Sequence, residues 1–195
     1  MFIFADLSLP QTLEGWSELD EENPVHRATS YHSVHADTHL SEVAPSSTYN
    51  TSDSGTLADG IGQQSRILLR FPMNFTQSDT IHEASIELQC TTEILGAPEL
   101  KAYVAEMKEV WNGSYASWNA FENNQLWDLA GAEGDTDRGA WEPSTSLIGN
   151  GTLTLNVTSL AQQASRSSAS HLSVVVASYG AEYACAMSEL SLIHI

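Results

Sequence analysis

The run Ser65-Arg-Ile-Leu-Leu-Arg-Phe71 decides the fold of this chain, because its residues alternate between the two faces of an extended strand. One face carries Ile67, Leu69 and Phe71, and the other carries Arg66, Leu68 and Arg70. A period of two with one apolar face is typical of a strand that packs on a core with one side only. The run therefore predicts a half-buried β-strand.

The segment from Ile81 to Cys90 repeats this pattern further along the chain. Its apolar face carries Ala84, Ile86, Leu88 and Cys90, whereas Ser85, Glu87 and Gln89 point the other way. Pro72 and the mostly polar residues 74–79 lie between the two segments, as expected of a connecting loop. The sequence predicts two antiparallel strands joined by this loop.

Similar patterns recur in the rest of the chain. Strands are predicted at residues 34–40, near 56, at 100–110, at 152–158, at 171–178 and at 183–189. Thr158 and Ser159 are expected to cap one short helix at residues 160–165. Residues 111–147 are rich in turn-forming side chains and are predicted to be irregular. Seven or eight strands with one helix indicate a β-sandwich.

The order of these segments resembles the DNRLRE-type domain, a jelly-roll β-sandwich placed among the carbohydrate-binding modules. The matching segments are Arg66 to Phe71, Thr80-Ile81 with Ala84 to Leu88, and the tryptophans Trp111, Trp118 and Trp127. Further matches are Asp37 to Glu42 with Tyr49-Asn50, Asn156 to Leu160, and Cys185 to Glu189. The resemblance implies an all-β, jelly-roll β-sandwich of about eight antiparallel strands with one short helix.

The charge of the chain excludes several classes of partner. The 195 residues include 25 acidic and only 7 basic side chains, for a formal net charge of -18. So acidic a surface repels the phosphates of nucleic acid and of anionic membranes. No segment has the roughly 18 to 20 apolar residues that a membrane-spanning helix needs, so membrane insertion is not expected.

Length and composition predict one domain with additional segments at its ends. Residues 1–30 are interpreted as an N-terminal extension or linker, and residues 31–189 as the β-sandwich domain. Residues 190–195 read like the translation of a sequencing adapter and are interpreted as a non-native tail. The N-terminus lacks the pattern of a signal peptide. Either Met1 is not the natural start, or the chain is an internal fragment of a longer protein that works outside the cell or on its surface.

Cys90 and Cys185 are the two cysteines of the chain. One interpretation is a disulfide formed in an oxidising compartment, which would close a long loop and stabilise the fold by roughly 4 kcal/mol. The other is a pair of small buried side chains that never meet. The sequence leaves both open.

Five asparagines stand in Asn-x-Ser/Thr sequons, which is more than chance predicts for this composition. They are Asn50, Asn74, Asn112, Asn150 and Asn156. The excess favours a glycosylated extracellular protein. The competing interpretation is that edge strands and turns use asparagine, serine and threonine in any case.

Two groups of side chains are candidates for binding a metal ion. His32, His35 and His39, with Asp37, are spaced like metal ligands. Residues three apart on a strand point to opposite faces, so only His35, Asp37 and His39 share a side, and this side is interpreted as a solvated strand face. The loop at residues 127–139 is the better candidate, because its carboxylates offer hard oxygens to calcium. These carboxylates belong to Asp128, Glu133, Asp135 and Asp137. An ordinary Gly/Asp turn competes with this structural calcium site.

The aromatic residues suggest where a ligand would bind. Trp111 and Trp118 occupy positions of the resembled family and are expected to pack the end of the sandwich. Trp127, Trp141 and Tyr115 lie in the irregular region and are the predicted ligand contacts, because an exposed aromatic ring packs on the apolar face of a sugar. With so few basic residues, a neutral glycan is expected rather than an acidic one.

The sequence contains no Gly-x-Ser-x-Gly, His-Glu-x-x-His or phosphate-binding glycine motif, so an enzyme is not expected. The preferred hypothesis is a non-catalytic carbohydrate-binding or adhesive module of a larger secreted or cell-surface protein, with a glycan or another surface protein as partner. The first alternative is a structural β-sandwich subunit of a surface layer, stalk or filament, which self-associates through residues 1–30. The second is part of a polysaccharide-degrading enzyme.

Overall fold

The structure is a computed structural model that describes residues 31–33, 35–73, 80–92, 99–143, 145–180, 182–187 and 192–194, the first and last of these ranges by backbone alone. Its elements are β1 (Tyr31–Ser33), β2 (Ala36–Ser41), β3 (Ser54–Gly60), β4 (Gln63–Pro72), β5 (Ser85–Thr91), β6 (Leu100–Glu106), β7 (Ala120–Glu122), β8 (Gln125–Leu126), β9 (Thr145–Leu147), β10 (Gly151–Asn156), α1 (Thr158–Arg166), β11 (His171–Gly180), β12 (Tyr183–Ala186) and β13 (Leu192–His194). Eight of these strands have four or more residues, in agreement with the predicted number.

The strands form two antiparallel layers that pack face to face. In the first layer β2, β4, β11, β6 and β9 lie side by side in this order. In the second layer β5 lies between β10 on one side and β12 with β13 on the other. The first half of β3 pairs with β12 and its last residues pair with β4, so this strand joins the layers. The predicted all-β sandwich of about eight antiparallel strands with one short helix is confirmed.

The sequence predicted that the strand at residues 65–71 pairs with the strand at residues 81–90, and this pairing is wrong. β4 pairs with β2, β3 and β11, whereas β5 pairs with β10, β12 and β13. The two strands lie in opposite layers, and Leu69 of β4 and Leu88 of β5 belong to the same buried core. Alternation identifies the face of a strand that is buried, but it does not identify the neighbour that completes the hydrogen bonds.

The helix α1 closes the main core at one end. Its residues Leu160, Ala161 and Ala164 are buried against the sandwich. Thr158 and Ser159 do not cap the helix as predicted. The carboxamide oxygen of Asn156 accepts a hydrogen bond from the backbone N–H of Thr158 at 3.0 Å. No helix in the part of the chain that the structure describes is long and apolar enough to cross a membrane.

A second core lies on the outer face of the first layer. Residues 107–143, here called the cap, fold back over this face and bury Trp111, Trp118 and Trp127 against Leu68 and Val175. β4 is therefore buried on both faces, and Leu68 has no exposed surface. The prediction of a half-buried strand is wrong for this reason. This region was predicted to be irregular, and the structure agrees. Within the described residues 107–143, the regular strands are those of the short hairpin formed by β7 and β8.

Cys90 of β5 and Cys185 of β12 are direct cross-strand partners and are joined by a disulfide. Of the two interpretations of the cysteines, the structure shows the cross-link. The backbone of residues 192–194 forms β13 between β1 and β5. Residues 1–30 lie outside the described residues, and the division of the chain at residues 30 and 189 stays a prediction.

Candidate functional site

Three arginine–tryptophan contacts hold the cap and its margin together. They are Arg66 over Trp118 at 5.4 Å, Arg70 over Trp111 at 4.5 Å and Arg138 over Trp141 at 4.1 Å, measured from the guanidinium carbon to the ring centroid. A cation above an indole ring is attracted by the negative charge of the ring face. Three of the seven basic residues in the chain are therefore packed against tryptophan rings within the fold.

Glu133 joins two of these arginines. One carboxylate oxygen pairs with Arg66, and the other accepts a hydrogen bond from Nη2 of Arg138 at 2.8 Å. Nη1 of Arg66 also donates to the carbonyl oxygen of Gly131. Burial lowers the pKa of Arg66, and the charge of Glu133 opposes this shift. Both oxygens of Glu133 thus serve the attachment of the cap to β4.

Asp137 organises the loop that was the predicted calcium site. Its side chain is 1 % exposed. Its carboxylate accepts the backbone N–H groups of Asp128 at 2.8 Å, Leu129 at 3.1 Å and Gly134 at 2.9 Å. Backbone donors therefore occupy the oxygens that calcium would need.

The four predicted calcium ligands do not come together. Asp137 is held by backbone N–H groups, Glu133 by two arginines, and the side chains of Asp128 and Asp135 lie at the surface. In the described part of the chain, no group of three histidine, cysteine, aspartate or glutamate side chains is placed to hold a metal ion. The geometry corrects the calcium prediction and agrees with the competing interpretation, a Gly/Asp turn.

The histidines of the predicted cluster are separated as well. The ring of His39 stacks on Tyr49 with centroids 3.7 Å apart, whereas the ring of His35 lies beside His171 at 5.1 Å. The side chain of His32 lies outside the described residues. His39 is half-buried and not on a solvated face, and burial lowers its pKa. Burial, with a further contribution from Asp53, raises the pKa of Asp37.

The free energy of unfolding is expected to depend on pH partly through the protonation of His39. Its pKa in the folded chain lies below the ordinary 6.5, so the unfolded chain binds a proton first as the pH falls. The stabilisation by neutral His39 is complete above about pH 6.5 and is lost as the pH falls towards the folded pKa. We expect His39→Gln to lose less stability than the wild type between pH 7.5 and 5.5, as measured by urea unfolding.

The exposed His82 provides the control for this titration. His82→Gln should lose as much stability as the wild type over the same pH range. An equal loss in His39→Gln and in the wild type would contradict the assignment.

The predicted ligand contacts differ in their accessibility. Trp127 is 5 % exposed, and its indole N–H donates to the carbonyl of Ser117 at 2.8 Å, so it is a core residue of the cap and the prediction is wrong. Tyr115 is 46 % exposed, and Trp141 is half-buried at the margin of the cap. Trp111 and Trp118 are buried, as predicted.

An open aromatic surface lies next to the cap, on the part of the first layer that the cap leaves uncovered. Tyr103 of β6 lies opposite Ala177 of β11, and Tyr179 lies opposite Lys101. Residues two apart on a strand share a face, so both tyrosines belong to the outer face that carries the cap further along. Tyr179 is 63 % exposed. The tyrosines are diagonal neighbours, at a separation of roughly 7–8 Å in such a ladder.

Trp141 completes this surface at its edge. Its ring centroid lies 6.5 Å from that of Tyr103, and the two rings are inclined by 61°. Arg138, which pairs with Glu133, lies over the same indole. We call Tyr103, Trp141 and Tyr179 the aromatic strip. The side chains of Ala177 and Lys101, which are small or flexible, lie opposite the two tyrosines on the same face. The ring of Trp141 is inclined to that of Tyr103 at the edge of the strip.

The sequence-predicted sequons lie mostly at the surface. Asn50, Asn112, Asn150 and Asn156 are exposed, and Asn74 lies outside the described residues. The amide nitrogen of Asn50 is 3.2 Å from the hydroxyl of Ser114, which belongs to the sequon of Asn112. Exposure is what glycan attachment requires, and glycosylation stays a prediction.

Comparisons with known proteins do not add to this geometry. No model of a protein family matches the chain, and no curated protein is significantly similar to it. Function is therefore inferred from the residues of the site and not from kinship.

Proposed function

We propose that this chain is a non-catalytic carbohydrate-binding module of a larger secreted or cell-surface protein, and that the aromatic strip binds the glycan. The observation that carries the proposal is Tyr179, a large ring that is 63 % exposed on a strand face next to Tyr103 and Trp141. Large aromatic side chains are mostly buried in folded proteins, and aromatic groups exposed together mark binding surfaces. Their faces suit the apolar C–H faces of pyranose rings.

The surroundings of the strip favour a neutral glycan. Lys101 lies between Tyr179 and Ser146 in the register of three neighbouring strands, and its side chain is exposed. One ammonium group and one hydroxyl can donate hydrogen bonds to sugar hydroxyls. A polyanion would meet a protein whose formal net charge is -18, which opposes association.

Two further observations support a location outside the cell. The disulfide between Cys90 and Cys185 is a feature of proteins from oxidising compartments. The exposed sequons are compatible with export, and the order of motifs that resembles the DNRLRE-type domain agrees with a surface module.

Removal of one ring is expected to weaken glycan binding. Tyr179→Ala should raise the Kd for a neutral oligosaccharide roughly tenfold, because a stacked ring contributes about 1–2 kcal/mol. The measurement is a screen of the wild type on immobilised neutral and acidic oligosaccharides, followed by calorimetric titration with the best ligand.

Tyr115→Ala is the matched control, because Tyr115 is an exposed tyrosine on the cap and not in the strip. It should leave the Kd unchanged, and both variants should unfold at the wild-type temperature. Binding that is lost in Tyr115→Ala and kept in Tyr179→Ala would contradict the assignment to the strip. Failure of the wild type to bind any oligosaccharide would contradict the proposed function itself.

A further inference from the structure

A second group of polar side chains lies at the other end of the same outer face. His171 begins β11 and lies opposite Pro72 of β4, whereas Tyr179 lies near the end of β11. The ring of His35 is inclined by 33° to that of His171, with the centroids 5.1 Å apart. The hydroxyl of Ser170 lies 2.9 Å from Nδ1 of His171. The two imidazoles are thus neighbours at the surface, on the far side of the cap from the aromatic strip.

Arg70 brings a permanent positive charge to this place. It lies opposite Ser173, two residues along β11 from His171 and on the same face. Its guanidinium group lies over Trp111, and Nη2 donates to the carbonyl of Trp111. Trp111 in turn donates its indole N–H to the hydroxyl of Ser173 at 2.7 Å. The cap therefore holds Arg70 beside the histidine pair. We call His35, Arg70 and His171 the basic corner.

Within the described residues, no ion pair joins the basic corner to an acidic side chain. Glu133 forms ion pairs with Arg66 and with Arg138, and Arg70 takes part in neither of them. Among the described residues, the charges that lower the pKa of His171 belong to His35 and Arg70, which are both basic. This grouping contrasts with a chain of formal net charge -18, in which a basic group without an acidic neighbour is unusual.

We propose that the basic corner is a binding site for an oxyanion, such as a carboxylate or a sulfate. A guanidinium and two imidazolium groups are N–H donors of the kind that form charge-assisted hydrogen bonds with such oxygens. The hydroxyl of Ser170 supplies a further polar group next to His171. This site is independent of the proposed glycan site, from which the cap separates it.

A metal ion fits the basic corner less well. Imidazole binds zinc or copper in its neutral form, but Arg70 places a positive charge beside the pair. The described residues include no third histidine, cysteine or carboxylate that would complete a site there. An oxyanion has the charge opposite to that of Arg70, and the described part of the chain forms no ion pair with Arg70 that it would have to displace.

The two ligand classes predict opposite responses to pH. Burial lowers the pKa of His171, and the charges of His35 and Arg70 lower it further, so this ring is neutral at pH 7.5. An anion binds the protonated ring more tightly, so its affinity rises as the pH falls. A metal ion competes with the proton, so its affinity falls over the same range.

The experiment is a titration of the full chain with sodium sulfate and with sodium acetate, followed by NMR of the histidine rings at constant ionic strength. At pH 5.5 we expect saturable shifts of the His35 and His171 signals, with a Kd at least tenfold lower than at pH 7.5. The variant His35→Ala/His171→Ala should lose this binding. His82→Ala, which changes an exposed histidine elsewhere, should bind like the wild type.

Three results would overturn the proposal. They are equal anion affinity in the double variant and the wild type, tighter anion binding at pH 7.5 than at pH 5.5, and micromolar binding of zinc to the two rings at pH 7.5 with no saturable response to sulfate. Arg70→Gln tests the third member of the corner, and its thermal unfolding identifies any loss that comes from a displaced cap. A folded Arg70→Gln variant that binds sulfate as the wild type does would remove Arg70 from the site.

Discussion

Replacement of both Cys90 and Cys185 by alanine is expected to lower the free energy of unfolding by about 4 kcal/mol. The disulfide closes a loop between residues 95 positions apart, and removal of the link returns that conformational freedom to the unfolded chain. Both side chains are buried in the main core, where the bond joins the neighbouring strands β5 and β12. The measurement is the urea midpoint and slope at pH 7, with circular dichroism as the signal.

A reductant supplies the control for this variant. Dithiothreitol should destabilise the wild type by a similar amount and should leave the double alanine variant unchanged. If the variant without reductant unfolds within 1 kcal/mol of the untreated wild type, the cross-link does not contribute as proposed.

Asp137→Ala is expected to destabilise the cap by at least about 3 kcal/mol. The substitution leaves the backbone N–H groups of Asp128, Leu129 and Gly134 without their acceptor in a largely buried turn. Each unsatisfied buried donor costs about 1–3 kcal/mol. Because Trp118 and Trp127 are buried by the cap, its loosening should shift tryptophan fluorescence to longer wavelength before the sandwich unfolds.

Asp135→Ala is the matched control, since Asp135 is an exposed aspartate of the same loop. It should change stability by less than about 0.5 kcal/mol, as surface substitutions usually do. Addition of calcium or of EDTA should leave the unfolding temperature of the wild type unchanged. Equal losses in the two variants, together with stabilisation by calcium, would restore the calcium site that the sequence suggested.

The strands could be predicted from the sequence because alternation is a local property. The apolar faces of β4, β5, β10 and β11 all lie in the main core. The pairing of β4 with β5 was predicted incorrectly, because both strands have a suitable apolar face whether they lie side by side or across the core from each other. Only the contacts of the folded chain distinguish these arrangements.

The residues of the proposed binding surface were harder to predict from the sequence than the strands. Trp127 was selected because it lies in a turn-rich region, but it is buried when that region folds into a cap. Sequence reasoning did not identify Tyr103 and Tyr179. Tyr103 lies opposite the buried face of a strand that alternates in the sequence, whereas Tyr179 lies one position beyond the predicted strand at residues 171–178. A search for aromatic residues on the outer side of the alternating strand would have found Tyr103.

The histidines illustrate the same limit. Strand geometry disfavoured one metal site for His32, His35 and His39, and the rings of His35 and His39 lie against different neighbours, His171 and Tyr49. The neighbour of His35 is His171, more than one hundred positions away in the chain. No local pattern connects these two residues, since their proximity depends on how the segment before β2 lies against β4 and β11.

The sequence by itself determined the all-β class, the residues of the main core and the acidic charge that disfavours polyanionic partners. These features depend on composition and on neighbouring residues along the chain. They are therefore the same whichever strands pair with each other. The tertiary structure alone decided that residues 107–143 cover only part of the outer face. Coverage depends on contacts between distant residues, such as Arg66 with Trp118 and Glu133. Those contacts bury Trp127 and leave Tyr179 exposed, and so they decide where a ligand can bind.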